Sequence, residues 1–173
     1  FRPAYRDPFA PGKGTVEIQL RGPIESGDLV RLVGLVDELE RSGRIVQSFS
    51  LRSPGGAVPE AMKIAAEVRR RRLVTVVPRG ELCASACFLV FAAGQGKIVQ
   101  EGAAVGVHGA SFEGRETDLS ARVTIEMARA ASRLGVPPSI IGRMAITPPD
   151  EMVWLTRDEL ATMAGPYGHV LQD

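Results

Sequence analysis

The chain has 173 residues, of which 45% are hydrophobic and 24% charged, with a formal net charge of +1. That length and balance suit one domain with a sizeable core and exclude a disordered or fibrous chain. The near-zero charge gives no reason to expect a nucleic-acid partner, and no stretch is long and apolar enough to span a membrane.

Residues 1–14 carry Pro3, Pro8 and Pro11 and read as an extended N-terminal arm or linker, leaving 15–173 as a single domain. The chain opens on Phe1 rather than methionine, which reads as a processed or trimmed form. A signal or a membrane tether outside this chain therefore stays open. Alternation of Val16, Ile18 and Leu20 predicts a strand from Thr15 to Ile24, closed by Gly22-Pro23. Ser26 is then expected to cap a helix running to Arg41, with Leu29, Leu32, Val33, Val36 and Leu39 on its apolar face. Arg44 to Leu51 predicts a second strand, with Ile45, Phe49 and Leu51 as core candidates. Ser53-Pro54-Gly55-Gly56 is a tight loop, and Pro59 opens a helix that ends in the run Arg69 to Arg72. That run reads as a solvated helix C-terminus, where cations suit the dipole; a phosphate or acidic-partner site is the sharper alternative.

Leu73 to Val77 predicts a strand buried on both faces, followed by Gly80 and a strand-to-helix elbow at Ser85. Residues 86–93 are apolar nearly all round and predict a buried helix. Lys97 to Gln100 and Ala104 to Val107 are short strands, and Glu116 to Leu134 is the longest amphipathic helix. A helix from Pro137-Pro138 to Ala145, a turn at 147–150, an extended Val153 to Leu155, a helix capped by Thr156, and a strand near Val170 complete the chain. Strands alternating with helices argue for an α/β layered fold with right-handed crossovers, whose sites gather at the carboxyl ends of the strands.

The chemistry-bearing residues fall at such ends. A serine at the start of a helix sits among free N–H groups that favour a developing negative charge. Ser85 occupies that place, Gly55-Gly56 can bring another N–H to it, and His108, 23 residues beyond Ser85, can take its proton. Cys83 and Cys87 flank Ser85. They read either as a local disulfide bracing the elbow in an oxidising compartment or as two small buried hydrophobes in a reducing one, and their spacing is not a zinc framework. Glu113 and Asp118 read as solvated loop carboxylates, and His169 as a surface or strand-edge residue.

Ser53-Pro54-Gly55-Gly56 before a helix, the elbow at Ser85 with Phe88-Leu89 and Ala92-Ala93-Gly94, and then Val107-His108 together resemble the Clp protease proteolytic subunit and its superfamily. The resemblance spans roughly Thr15 to Val170. It implies the layered fold of repeated β-β-α units shared with the crotonases. It also implies Ser85 as nucleophile, His108 as general base, and the N–H groups of Gly56 and Ala86 as oxyanion hole. The family's acid falls at Met152 here. Asp150, just upstream, is the candidate orienting acid, with Glu151 or no side-chain acid as alternatives. The implied function is a serine peptidase acting on a peptide or protein, without metal or organic cofactor, in a homo-oligomer. The cysteine pair and the missing start methionine point to periplasmic or secreted relatives that work without an ATPase ring, a cytoplasmic location being the alternative. Two rivals share the fold: a binding or assembly module with a degenerate site, and a crotonase-like enzyme acting on acyl-CoA.

Overall fold

The computed structural model describes residues 2–4, 14–111 and 117–163. An edge strand β1 (Arg2–Ala4), which sequence periodicity does not reveal, lies antiparallel to β2 (Thr15–Arg21). The predicted alternation in β2 buries Val16, Ile18 and Leu20 on one face. Helix α1 (Asp28–Arg41) crosses over to β3 (Ile45–Arg52), which pairs in parallel with β2. Helix α2 (Val58–Arg70) leads to β4 (Val74–Val77) beside β3. The chain then makes β5 (Leu82–Ala84), helix α3 (Ala86–Ala92), β6 (Lys97–Val99) and β7 (Ala104–Val107).

Two sheets result. The larger has the order β1-β2-β3-β4-β6, parallel but for β1. The smaller is β5-β7-β8, where β8 (Val153–Trp154) is antiparallel to β7. A parallel bridge between Ser53 and Cys83 links the end of β3 to β5. Helices α4 (Asp118–Arg133), α5 (Pro138–Ile146) and α6 (Arg157–Thr162) complete the described chain, and α4 packs on α2, α3 and α5. The core between the layers centres on Phe49, Leu51, Ile64, Phe88 and Phe91, all fully buried. This is the mixed α/β layered architecture expected from the sequence.

Two local expectations change. Ser26 does not cap α1, because Gly27 stands between it and the helix in a left-handed conformation (φ 94°). The free N–H groups of Gly27 and Leu29 instead donate to Glu60 Oε1 at 3.1 and 2.9 Å. Glu60 is a buried carboxylate from the first turn of α2, so the cap comes from a neighbouring helix. Ile45 is 56% exposed rather than core, since it lies at the open start of β3 opposite Thr15. The strand expected near Val170 lies outside the described residues.

The arginine run is half consumed by ion pairing. Arg70 and Arg71 both hold Glu67, at 2.6 and 2.5 Å, and Arg71 reaches Asp37 and Glu40 on α1 at 2.8 and 3.0 Å. Hydrogen bonding from Arg70, with Arg71 in support, holds the Glu67 carboxyl at about 2, below its ordinary 4.5. A carboxyl lowered on folding stabilises the folded state above its unfolded pKa, and that contribution disappears as pH falls through the folded value. Glu67→Gln should therefore lower stability at pH 7 by about 1 kcal/mol after solvent screening. The difference from wild type should shrink between pH 4.5 and about 2, as urea unfolding across that range would show.

Candidate active site

The carboxyl ends of β3, β5 and β7 converge. Strand β5 stops at Ser85, whose backbone turns through φ 56°, ψ −127° before α3 begins at Ala86. A residue with a Cβ holds such a conformation only where its surroundings over-determine it. Here Ser85 N donates to Gly106 O at 3.0 Å, and Phe88 N donates to Ser85 O at 2.9 Å. Pairing of Cys83 with Val105 and of Ala84 with Gly106 fixes β5 on β7. From the other side, Ser53 N donates to Leu82 O at 2.9 Å and Ala84 N to Ser53 O at 3.0 Å. Cys83 and Cys87 form a disulfide, both fully buried, with Cα atoms 5.3 Å apart. Ser85 and Ala86 thus sit inside the small loop that this bond closes. The elbow places Ser85 at the N-cap of α3, a helix in which every residue is buried.

The glycine loop is pressed against the elbow. Ser53 Oγ accepts from Gly55 N at 3.1 Å, shaping the turn around Pro54. A Cβ on Gly55 would stand 2.7 Å from Ser85 Cβ and 3.1 Å from Ala86 N. Gly56, at φ 137°, is seated as closely on the other side: Ile24 N donates to Gly55 O at 2.7 Å and Ala57 N donates to Ile24 O at 2.9 Å. In that bridge the Gly56 N–H points away from Ile24. Neither Gly56 N nor Ala86 N donates to an acceptor among the described residues. A free N–H on the residue after Ser85 and another on the glycine loop packed against the elbow are suited to hold an oxyanion.

His108 follows the last residue of β7 and is partly buried. Its Nδ1 lies 2.9 Å from the carbonyl oxygen of Pro149. A carbonyl only accepts, so Nδ1 carries the proton and Nε2 is left as the basic nitrogen. Burial lowers the imidazole pKa, partly offset by the Pro149 carbonyl, so the ring is neutral at neutral pH. No hydrogen bond joins Ser85 Oγ to His108. The two residues are tied through the backbone by the Ser85 N to Gly106 O bond, two residues before His108. Catalytic hydrogen bonds commonly tighten only with substrate in place.

Asp150 follows the residue that contacts His108, yet it is exposed and makes no bond to the ring, as does Glu151. Met152, in the position where the resemblance implies an acid, lies over β7: a Cβ on Gly106 would be 2.7 Å from its Sδ. The ring's hydrogen-bond partner among the described residues is thus a main-chain carbonyl, which leaves no trace in side-chain patterns. Asp118 opens α4 in a first turn capped by Thr117, and Glu113 and His169 lie outside the described residues.

Beside His108 a cavity of about 260 Å³ opens between α4 and α5, lined by Gly109, Ala110, Ala121, Ile125, Ile146 and Pro149 among others. Thr124 Oγ1 accepts from Ala110 N at 2.8 Å and donates to Ser120 O at 3.0 Å, pinning the segment after His108 to α4. Thr124 has no motif around it and was not a candidate from the sequence.

The sequence matches no protein-family model and no curated protein. Its structure does find likenesses. A mutant of the 1510-N membrane-bound stomatin-specific protease superposes with a TM-score of 0.63 at 18% identity, over 85% of this chain and 74% of that one. A second mutant of that protease, in complex with a substrate peptide, gives 0.62 at 18% identity, over 85% and 70% of the two chains. ClpP1 from Listeria monocytogenes gives 0.65 at 16% identity, over 85% and 86%. The fold is that of the Clp protease proteolytic subunit. At these identities the likeness is one of fold, and the chemistry of this chain has to be argued from its own residues.

Proposed function

We propose that this ClpP-like chain is a serine peptidase with Ser85 as nucleophile and His108 as general base. The observation that carries this reading is the strained, triply braced elbow at Ser85, with a free N–H on Ala86, another on the glycine loop packed against the elbow, and a neutral imidazole one strand away. In the reaction, Ser85 Oγ attacks the peptide carbonyl carbon while its proton passes to His108 Nε2. The N–H groups of Gly56 and Ala86 hold the resulting oxyanion. As the tetrahedral adduct collapses, the C–N bond breaks and the amine leaves with the proton from Nε2. Water, deprotonated by the same nitrogen, then cleaves the acyl ester and restores Ser85. The Pro149 carbonyl keeps Nδ1 protonated and the ring oriented, in place of a carboxylate. The cavity beside His108 takes an apolar side chain of the substrate against Ile125 and Ile146.

The Cys83–Cys87 disulfide supports a periplasmic or secreted location, since such bonds persist in oxidising compartments. The exposed apolar side chain of Leu119 on α4 supports a homo-oligomer. One observation favours a second reading, a degenerate binding module: Met152, packed over Gly106 of β7, occupies the position where the resemblance implies the acid.

The test is hydrolysis of fluorogenic peptides carrying an apolar residue before the scissile bond. The expected result is turnover that falls on acidification, with a midpoint below 6.5, because burial lowers the His108 pKa and only the neutral ring accepts a proton. An enzyme indifferent to pH in that range would remove His108 from the mechanism. Replacing both cysteines by alanine should slow turnover about tenfold at unchanged KM, because the loop that positions Ser85 and Ala86 is released. A rate equal to wild type would make the disulfide purely a stabilising bond.

A further inference from the structure

The arginine run at the end of α2 divides. Arg70 and Arg71 are committed to Glu67, but Arg69 and Arg72 have no carboxylate partner among the described residues. With Lys97, Gln95 and Leu134 they line a cavity of about 500 Å³ where the start of β6 meets the C-terminal ends of α2, α3 and α4. No acidic residue among the described residues lines it. Lys97 is the anomaly. The residue is 8% exposed, and its one acceptor among the described residues is the Gly94 carbonyl, 2.9 Å from Nζ. Lysines are rarely so buried unless paired with an acid. Here burial lowers the ammonium pKa, and the Arg69 guanidinium lowers it further. Arg69 itself donates through Nη1 to Arg133 O at 2.7 Å. An ammonium has three donors and a guanidinium five, so one carbonyl each leaves most of them unused.

We propose that this cavity binds a phosphate group. Two guanidinium groups and an ammonium, unopposed by carboxylate, suit a dianion with several acceptor oxygens. The space exceeds a bare phosphate, so the group belongs to a larger ligand: a phosphorylated small molecule in solution or the head group of an anionic phospholipid. The site lies at the far end of α3 from Ser85 and does not depend on the peptidase reading.

The test is the melting temperature of the whole chain titrated with inorganic phosphate, against sodium chloride at matched ionic strength. Wild type should show a saturable rise with phosphate alone. Lys97→Met should weaken the apparent affinity about tenfold or more, the loss expected for hydrogen bonds to a charged group. Without phosphate it should melt higher than wild type, since it removes a buried charge beside Arg69. A Lys97 that only caps the end of α3 predicts the opposite sign. Arg72→Ala should also weaken the response, whereas Arg70→Ala, on a paired arginine, should retain it. Cosedimentation with phosphatidylcholine vesicles containing phosphatidic acid, but not with phosphatidylcholine alone, assigns the ligand to a membrane; an intact phosphate response without cosedimentation assigns it to solution. Equal responses of wild type to phosphate and chloride, or a Lys97→Met protein that melts lower and responds as wild type does, overturn the proposal.

Discussion

Ser85→Ala should lower peptide turnover by about 10³-fold or more while leaving the melting temperature unchanged or slightly raised. The first half follows from the proposed chemistry: without Oγ there is no acyl ester, and what remains is whatever the N–H pair achieves with water alone. The second half follows from the elbow. Ser85 holds φ 56° and ψ −127° through its own N–H bond to Gly106, the bond from Phe88 N to its carbonyl, and the flanking disulfide. None of these involves Oγ, and the side chain caps no helix N–H. Circular dichroism and turnover measured on one preparation separate the two halves. A marked loss of stability would mean that Ser85 is there for its turn, and a retained rate would mean that another group attacks.

Gly56→Ala should be the most damaging change that touches no reacting side chain. An added Cβ would lie 2.3 Å from Ile24 O and 2.6 Å from Ile24 N, both backbone atoms that the bridge to Gly55 and Ala57 holds in place. At φ 137° the new residue would be strained even in open space, at about 1–3 kcal/mol. The loop must move, and with it the N–H assigned to the oxyanion hole, whose loss typically lowers a rate by about 10²–10³-fold. The expected outcome is a protein that melts several degrees lower and turns over peptide at that reduced rate with little change in KM. A variant with wild-type kinetics would show that Gly56 N–H plays no part in holding the oxyanion.

The fold was legible because its signals are local and repeated. Alternation in β2, the apolar run of β4, the all-apolar α3 and the Thr156 cap, which forms a reciprocal pair with Glu159, each describe their own element. In the candidate site the backbone was legible where a special conformation demands a special sequence, as at Gly55-Gly56 and at the elbow between two cysteines. What stayed hidden depends on partners distant in the chain. Glu60 caps α1 from another helix, and neither segment carries a sign of the other. The Pro149 carbonyl meets His108 across 41 residues, and a carbonyl is present at every position; Asp150 drew attention only because it lies just upstream of Met152, where the resemblance implies the acid. Ile45 is as apolar as Phe49, but it opens the strand while Phe49 lies midway, and only the layers above and below decide which is covered. Lys97 gave no signal at all, since a lone lysine at the start of a short strand is ordinary until its burial is known.

Reaction with a fluorophosphonate probe decides whether Ser85 is an activated nucleophile. The wild-type protein, His108→Ala and Ser85→Ala would be treated in parallel and the modified peptide identified by mass spectrometry. Phosphonylation of Ser85 in the wild type, absent from Ser85→Ala and slowed at least about a hundredfold in His108→Ala, is the result expected of a serine that depends on its base. A folded wild-type protein that takes no label, or takes it at another residue, would contradict the account and leave the binding module as the better reading of this fold.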